Sequence, residues 1–215
     1  MRIIDISHPV GAGVGVWPGD ERFALEWTLS QDRGDSVNVA AVTLSVHTGT
    51  HADGPHHVLP HGARAKDLPL QAFIGRALVV DMRGAAVMDE RVIEGVAIEP
   101  GVRVLFRQRE SVDPRDFPTN FLAPTPALAR RLVALGVPLV GTDAPSMDPF
   151  DSKSLETHRI FAEAGVMTLE NLLLVDVSPG EYTLVALPLA LVDADSSPVR
   201  AVLIDDEAVR QAFSG

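Results

Sequence analysis

The chain has 215 residues, 46% of them apolar, at a mass of 23.0 kDa and a mean hydropathy of +0.16; this can fill a real core, excludes a disordered regulator and predicts a single domain over 1–215. With 29 acidic against 18 basic side chains the formal charge is −11, a surface that repels polyphosphates and excludes nucleic acid as a natural partner. The absence of cysteine removes disulfides, thiolate zinc sites, iron–sulfur clusters and a thiol nucleophile together.

The opening MRIIDISHPVG places Asp5, His8 and Pro9 where an export signal needs an unbroken apolar run, so a cytoplasmic protein without a membrane segment is expected. Ile3–Ile6 reads as the first strand. The run Gly11–Gly15 (GAGVG) matches neither dinucleotide nor P-loop glycine spacing and reads as a surface loop. Strands are predicted over Phe23–Leu29 and Val37–Val46. In the second, Val42, Leu44 and Val46 alternate with Thr43, Ser45 and His47, which puts His47 on the less apolar face as the strand ends.

Five of the seven histidines then fall within HTGTHADGPHHVLPH, residues 47–61. Glycine and the pair Gly54-Pro55 oppose a regular helix there, so His47, His51 and Asp53 are expected to come from a tight loop. Two imidazoles and a carboxylate suit Zn²⁺, Mn²⁺ or Fe²⁺. His8, His56 and His61 have no such partner set and read as surface or hydrogen-bonding residues.

Downstream, strands are expected over Ala77–Met82, Val102–Arg107, Leu139–Gly141, Leu172–Asp176, Tyr182–Leu187 and Val199–Ile204, with the apolar run Tyr182–Val192 buried. Thr125-Pro126 forms an N-cap and first helical position, and Leu128, Leu132 and Leu135 share one side before Gly136 stops the helix, giving a βαβ unit. A second helix runs from about Leu155 to Ala164, ends at Gly165 and carries His158. Strand outweighs helix, so the class is α/β with a mixed, strand-rich sheet. No G-x-S-x-G elbow supplies a serine nucleophile.

The string His47-Thr48-Gly49-Thr50-His51-Ala52-Asp53-Gly54-Pro55-His56-His57 resembles the H-x-G-T-H-x-D-x-P-x-H signature of the metal-dependent cyclase-like amidohydrolase family. Pro145-Ser146-Met147-Asp148-Pro149, Asp151-Ser152-Lys153, His158, Glu170-Asn171, the early Val16-Trp17-Pro18-Gly19-Asp20 and the late Ser197-Pro198-Val199-Arg200-Ala201 are similar to its aryl-formamide-cleaving branch, so the resemblance spans nearly the whole chain. It implies a swivelling β/β/α fold, a homodimer and two divalent ions per chain, usually Zn²⁺. It also implies that His47, His51 and Asp53 hold the first ion, that His158 belongs to the second, that Asp53 and Glu170 bridge both, and that His57 is the acid/base residue. The activity implied is hydrolysis of N-formyl-L-kynurenine to L-kynurenine and formate by a metal-activated hydroxide. Trp17 then either stacks on the substrate ring or packs internally. Three rival readings stand beside it: a lactam- or lactone-opening enzyme with the same metals, a non-haem iron oxygenase using two histidines and a carboxylate, and a metal-binding protein without catalysis.

Overall fold

The chain lays down β1 (Arg2–Asp5), β2 (Ala24–Leu29), β3 (Val39–Thr43), β4 (His51–Asp53), β5 (Ile74–Asp81), β6 (Arg103–Arg107), α1 (Pro126–Ala134), β7 (Leu139–Thr142), α2 (Glu156–Ala164), β8 (Met167–Glu170), β9 (Gly180–Val185), β10 (Ser196–Pro198), β11 (Val202–Asp205) and α3 (Glu207–Ala212). The computed structural model describes residues 1–213.

Nine strands form one mixed sheet in the order β1-β11-β9-β5-β6-β7-β8-β4-β10, and β2 pairs β3 in a separate ribbon. The pattern of burial explains the order. In β6, Val104 and Phe106 alternate with Leu105 and all three are fully buried, as a strand covered on both faces requires. It runs parallel to β5 and β7, and β7 to β8; the flanking pairs are antiparallel.

One face of this sheet carries α1 and α2. Thr125 Oγ1 accepts the Leu128 N–H, Pro126 occupies the first turn, and Leu128, Ala129 and Leu132 are buried against Val104, Phe106, Val140 and Phe161. Each fully buried Leu or Phe stabilises the fold by about 1.5–3 kcal/mol. The opposite face collects Leu105, Leu139, Leu169, Leu184 and Leu203 with Phe73 from the segment before β5. The predicted βαβ unit is β6-α1-β7.

Other expectations need correction. The strand predicted over Leu172–Asp176 lies at β8, five residues earlier, because Glu170 and the left-handed Asn171 (φ 52°) end the pairing. Strand β9 stops at Val185, and Leu187, Leu189 and Val192 beyond it are exposed. The alternation through Val42 is not answered by this chain's core: Val42 is 50% exposed and the β2–β3 ribbon buries none of its residues. Among the described residues no helix is long and apolar enough to cross a membrane.

Candidate metal centre

The site forms where three strands, β4, β8 and β10, meet in two registers. His51 and Asp53, two apart on β4, face the same way while Ala52 turns into the core. Antiparallel pairing sets Glu170 of β8 opposite His51 and Ser196 of β10 opposite Asp53, where the Ser196 hydroxyl donates to Asp53 Oδ1 at 2.8 Å. The expected tight loop is thus partly strand. The loop contributes His47, in the turn after β3, and the turn demands Gly49: its φ of +66° is left-handed, and a Cβ there would lie 2.9 Å from Val10 Cγ2. Its carbonyl accepts the His51 Nδ1–H at 2.9 Å.

His158 arrives from the other side, on the first turn of α2. Leu155, left-handed at φ 48°, offers that helix no side-chain cap. Asp148 does so instead, accepting the backbone N–H groups of Thr157 (3.1 Å) and His158 (3.0 Å) and also the His158 Nδ1–H at 2.6 Å. One carboxylate caps the helix and orients the ring.

Each imidazole is therefore tied at one nitrogen and presents the other inward. His47 Nε2 is 2.9 Å from Asp195 Oδ2, leaving Nδ1 3.1 Å from Asp53 Oδ1. His51 Nε2 lies 3.4 Å from both Asp53 Oδ1 and Glu170 Oε2. His158 Nε2 is 3.0 Å from Glu170 Oε1 and 3.6 Å from Asp53 Oδ2. An outer acceptor that selects the tautomer of a ligating histidine is the usual support of a metal site.

Satisfaction of the polar atoms tests whether a cation fits. His51 Nε2 and Asp53 Oδ2 are buried without a hydrogen-bond partner, a costly state unless something else occupies the space between them. The donor set of imidazole and carboxylate suits a divalent transition ion. His47, His51 and Asp53 have ligand atoms mutually close enough to hold one ion, as do Asp53, His57 and His158. In the metal-free protein protons take that role. Burial opposes a charged ring, yet Asp195 and Asp53 raise His47 to about 9, and Asp53 with Glu170 raises His51 to about 10. Burial likewise opposes charge on His158, which Asp148, Asp53 and Glu170 nevertheless hold well above the ordinary histidine value. Asp53 is held below the usual carboxylate range by His51, His158 and His47 against the effect of burial.

Above this floor opens a cleft of about 660 Å³ lined by Trp17, Phe117, Phe150, Lys153, Asn171 and the rings of His47, His51, His57 and His158, within the range of small-molecule sites. Trp17 stands edge-on to Phe117 at 5.4 Å and tilted against Phe150 at 5.0 Å, so it both packs and faces the cleft. His57 sits on a short turn, its side chain 30% exposed, with Nδ1 3.1 Å from Asp195 Oδ2. His47, His51, Asp53, His57, His158, Glu170 and Trp17 are all brought to this one place. His61 stays outside; His8 and His56 are partly buried and each keeps one ring nitrogen without a partner. Sequence reading missed Asp148, Asp195 and Ser196 as supports. Asp148 left a trace, an acid shortly before a helix start; Asp195, 148 residues from His47, left none.

Fold and site together define a hydrolytic enzyme built around a cluster of side chains able to hold a metal ion. The chain belongs to the family described as putative cyclases, which residues 4–149 match. It is 44% identical over 211 residues to a kynurenine formamidase of Salinibacter ruber, covering 95% of this chain and 98% of that one. A solved structure described as a potential metal-dependent hydrolase with cyclase activity superposes with a TM-score of 0.82 at 29% identity, covering 96% and 98% of the two chains. Isatin hydrolase A from Labrenzia aggregata superposes with a TM-score of 0.83 at 25% identity, covering 95% and 94%.

Proposed function

We propose that this protein hydrolyses N-formyl-L-kynurenine to L-kynurenine and formate, with two divalent ions, Zn²⁺ first, held by His47, His51, Asp53, His158 and Glu170. The observation that carries the reading is the convergence of three tethered imidazoles on two buried carboxylates beneath an aromatic-walled cleft; the likeness to the Salinibacter ruber formamidase supplies the substrate. When bound, the ions supply Lewis-acid polarisation of a carbonyl and activation of water at neutral pH.

The chain's own residues then have these tasks. Net chemistry breaks the formyl C–N bond, forms a C–O bond, and requires one proton on the departing aniline nitrogen. His57, tied at Nδ1 to Asp195, keeps Nε2 free to carry that proton. Trp17, backed by Phe150 and Phe117, offers an aromatic wall for the aryl ring. Lys153 lines the same cleft as Asp20 and Asp151, which suits the carboxylate and ammonium of an amino-acid substituent. The buried carboxylates stay at the floor and the proton moves only at the rim.

The whole chain acts as one domain, since both core clusters share the nine-stranded sheet. It works in the cytoplasm as a homodimer; the ribbon's exposed Leu25, Trp27, Leu29, Val39 and Val42 support a second copy as their cover. A second reading, opening of an aryl lactam, is favoured by the likeness to isatin hydrolase A. Steady-state hydrolysis of N-formyl-L-kynurenine and of isatin by protein of measured metal content separates them: the higher kcat/KM is expected for the formamide, and a higher value for isatin overturns the formamidase reading.

A further inference from the structure

We propose that Asp195 is a positioning residue that orients a metal-cradle histidine and the acid/base histidine through a single carboxylate oxygen. The inference rests on the function proposed above. Asp195 Oδ2 lies 2.9 Å from His47 Nε2 and 3.1 Å from His57 Nδ1, and the two rings sit 4.6 Å apart between centroids, tilted by 49°. An ionised carboxylate only accepts hydrogen bonds, so both of those ring nitrogens carry the proton. The opposite nitrogens follow: with a cation in place of the proton it shares with Asp53 at 3.1 Å, His47 Nδ1 would offer its lone pair to that cation, and His57 Nε2 is left to exchange a proton in the cleft. One oxygen thereby assigns both tautomers.

The placement of Asp195 is built into the backbone. Its carbonyl accepts the Gly54 N–H at 2.8 Å, and a Cβ at Gly54 would lie 2.6 Å from that oxygen and 2.9 Å from Ala63 O, so the segment before β10 presses against the turn that carries His57. The next residue, Ser196, is locked opposite Asp53 by the strand register. Asp195 thus stands where the metal ligands and the His57 turn meet, with its side chain 35% exposed and reachable by water if the rings let go. Carboxylates that support metal-bound or catalytic imidazoles typically contribute about 10–100-fold in metal affinity or activity.

The test compares metal-loaded parent, Asp195→Asn, His57→Gln and the double variant, with thermal unfolding as the check of folding. Asp195→Asn should lower kcat about 10–100-fold with KM within about threefold, and weaken Zn²⁺ about tenfold in a competition titration with the same number of ions bound at saturation. Because Asp195 acts through His57, adding Asp195→Asn to His57→Gln should cost little further kcat while the weaker Zn²⁺ binding persists. Long-range ¹⁵N–¹H spectra of the zinc-loaded parent should show His57 protonated at Nδ1 and His47 at Nε2, with the His57 tautomer mixed in Asp195→Asn. Opposite tautomers in the parent, full additivity in the double variant, or loss of one bound ion from Asp195→Asn at saturating metal would each overturn the inference, the last by making Asp195 a ligand. The tautomer measurement needs no substrate, so a parent inactive on the formamide would refute the function reading while Asp195 was still judged.

Discussion

The floor and the rim of the cleft are built from the same residue types and behave differently. On the floor, His51, Asp53, His158 and Glu170 have side chains at most 5% exposed; at the rim, His47, His57 and Asp195 are 20%, 30% and 35% exposed. Water can replace a lost partner at the rim but not below it. The floor must therefore satisfy its charges internally, and the atoms it leaves over, His51 Nε2 and Asp53 Oδ2, leave a place that fits a cation. The rim stays within reach of water and of a ligand in the cleft, which is where an acid/base group must stand.

The sharpest way to break this contrast is at Asp53, whose two oxygens face three histidines. Asp53→Ala should lose bound metal by elemental analysis and at least about 10³ in kcat/KM, since Lewis-acid stabilisation is worth several kcal/mol, and it should be more damaging than His158→Ala. Unchanged metal content in Asp53→Ala would remove it from the cradle.

At the rim, His57→Ala should lower kcat by ~10²–10⁴ while fold and metal content survive. His56→Ala, one residue away and with Nδ1 buried without a partner, should be mild. An exchange of these two phenotypes in side-by-side kinetics would reverse the assignment of the neighbouring histidines.

The metal-free protein sharpens the comparison through pH. His47 and His51 are raised to about 9 and about 10 from an unfolded value near 6.5. A group raised on folding stabilises fully below its unfolded pKa and stops doing so above its folded one. Thermal unfolding of chelator-treated protein should accordingly show Tm falling between about pH 6.5 and pH 10, and added Zn²⁺ should flatten the fall while releasing protons. A Tm that climbs across that window would contradict the floor as described.

The smallest effect is expected at the aromatic wall. Trp17→Ala removes a ring contact worth ~0.5–1.5 kcal/mol, so KM should rise about tenfold or less with kcat altered less. A dominant fall in kcat would instead place Trp17 in the support of the reacting groups.

The local part of the candidate site was legible in the chain itself. His47, His51, Asp53 and His57 lie within eleven residues, and α1 declared itself through Thr125, Pro126 and the leucine spacing, because caps and helical periods are properties of neighbours in sequence. His158 and Glu170 were legible only through family likeness, as one is a lone residue on a helix and the other a strand-end acid. Strand register was not legible at all. The pairing of β4 with β8 and β10 places Glu170 opposite His51 and Ser196 opposite Asp53, and β10 delivers Asp195 to two rings more than a hundred residues earlier in the chain. Short-range pattern decides which residues can act as ligands and which segments can be strands; only the folded sheet decides which strand edge meets which, because that choice depends on burying both faces of the sheet at once.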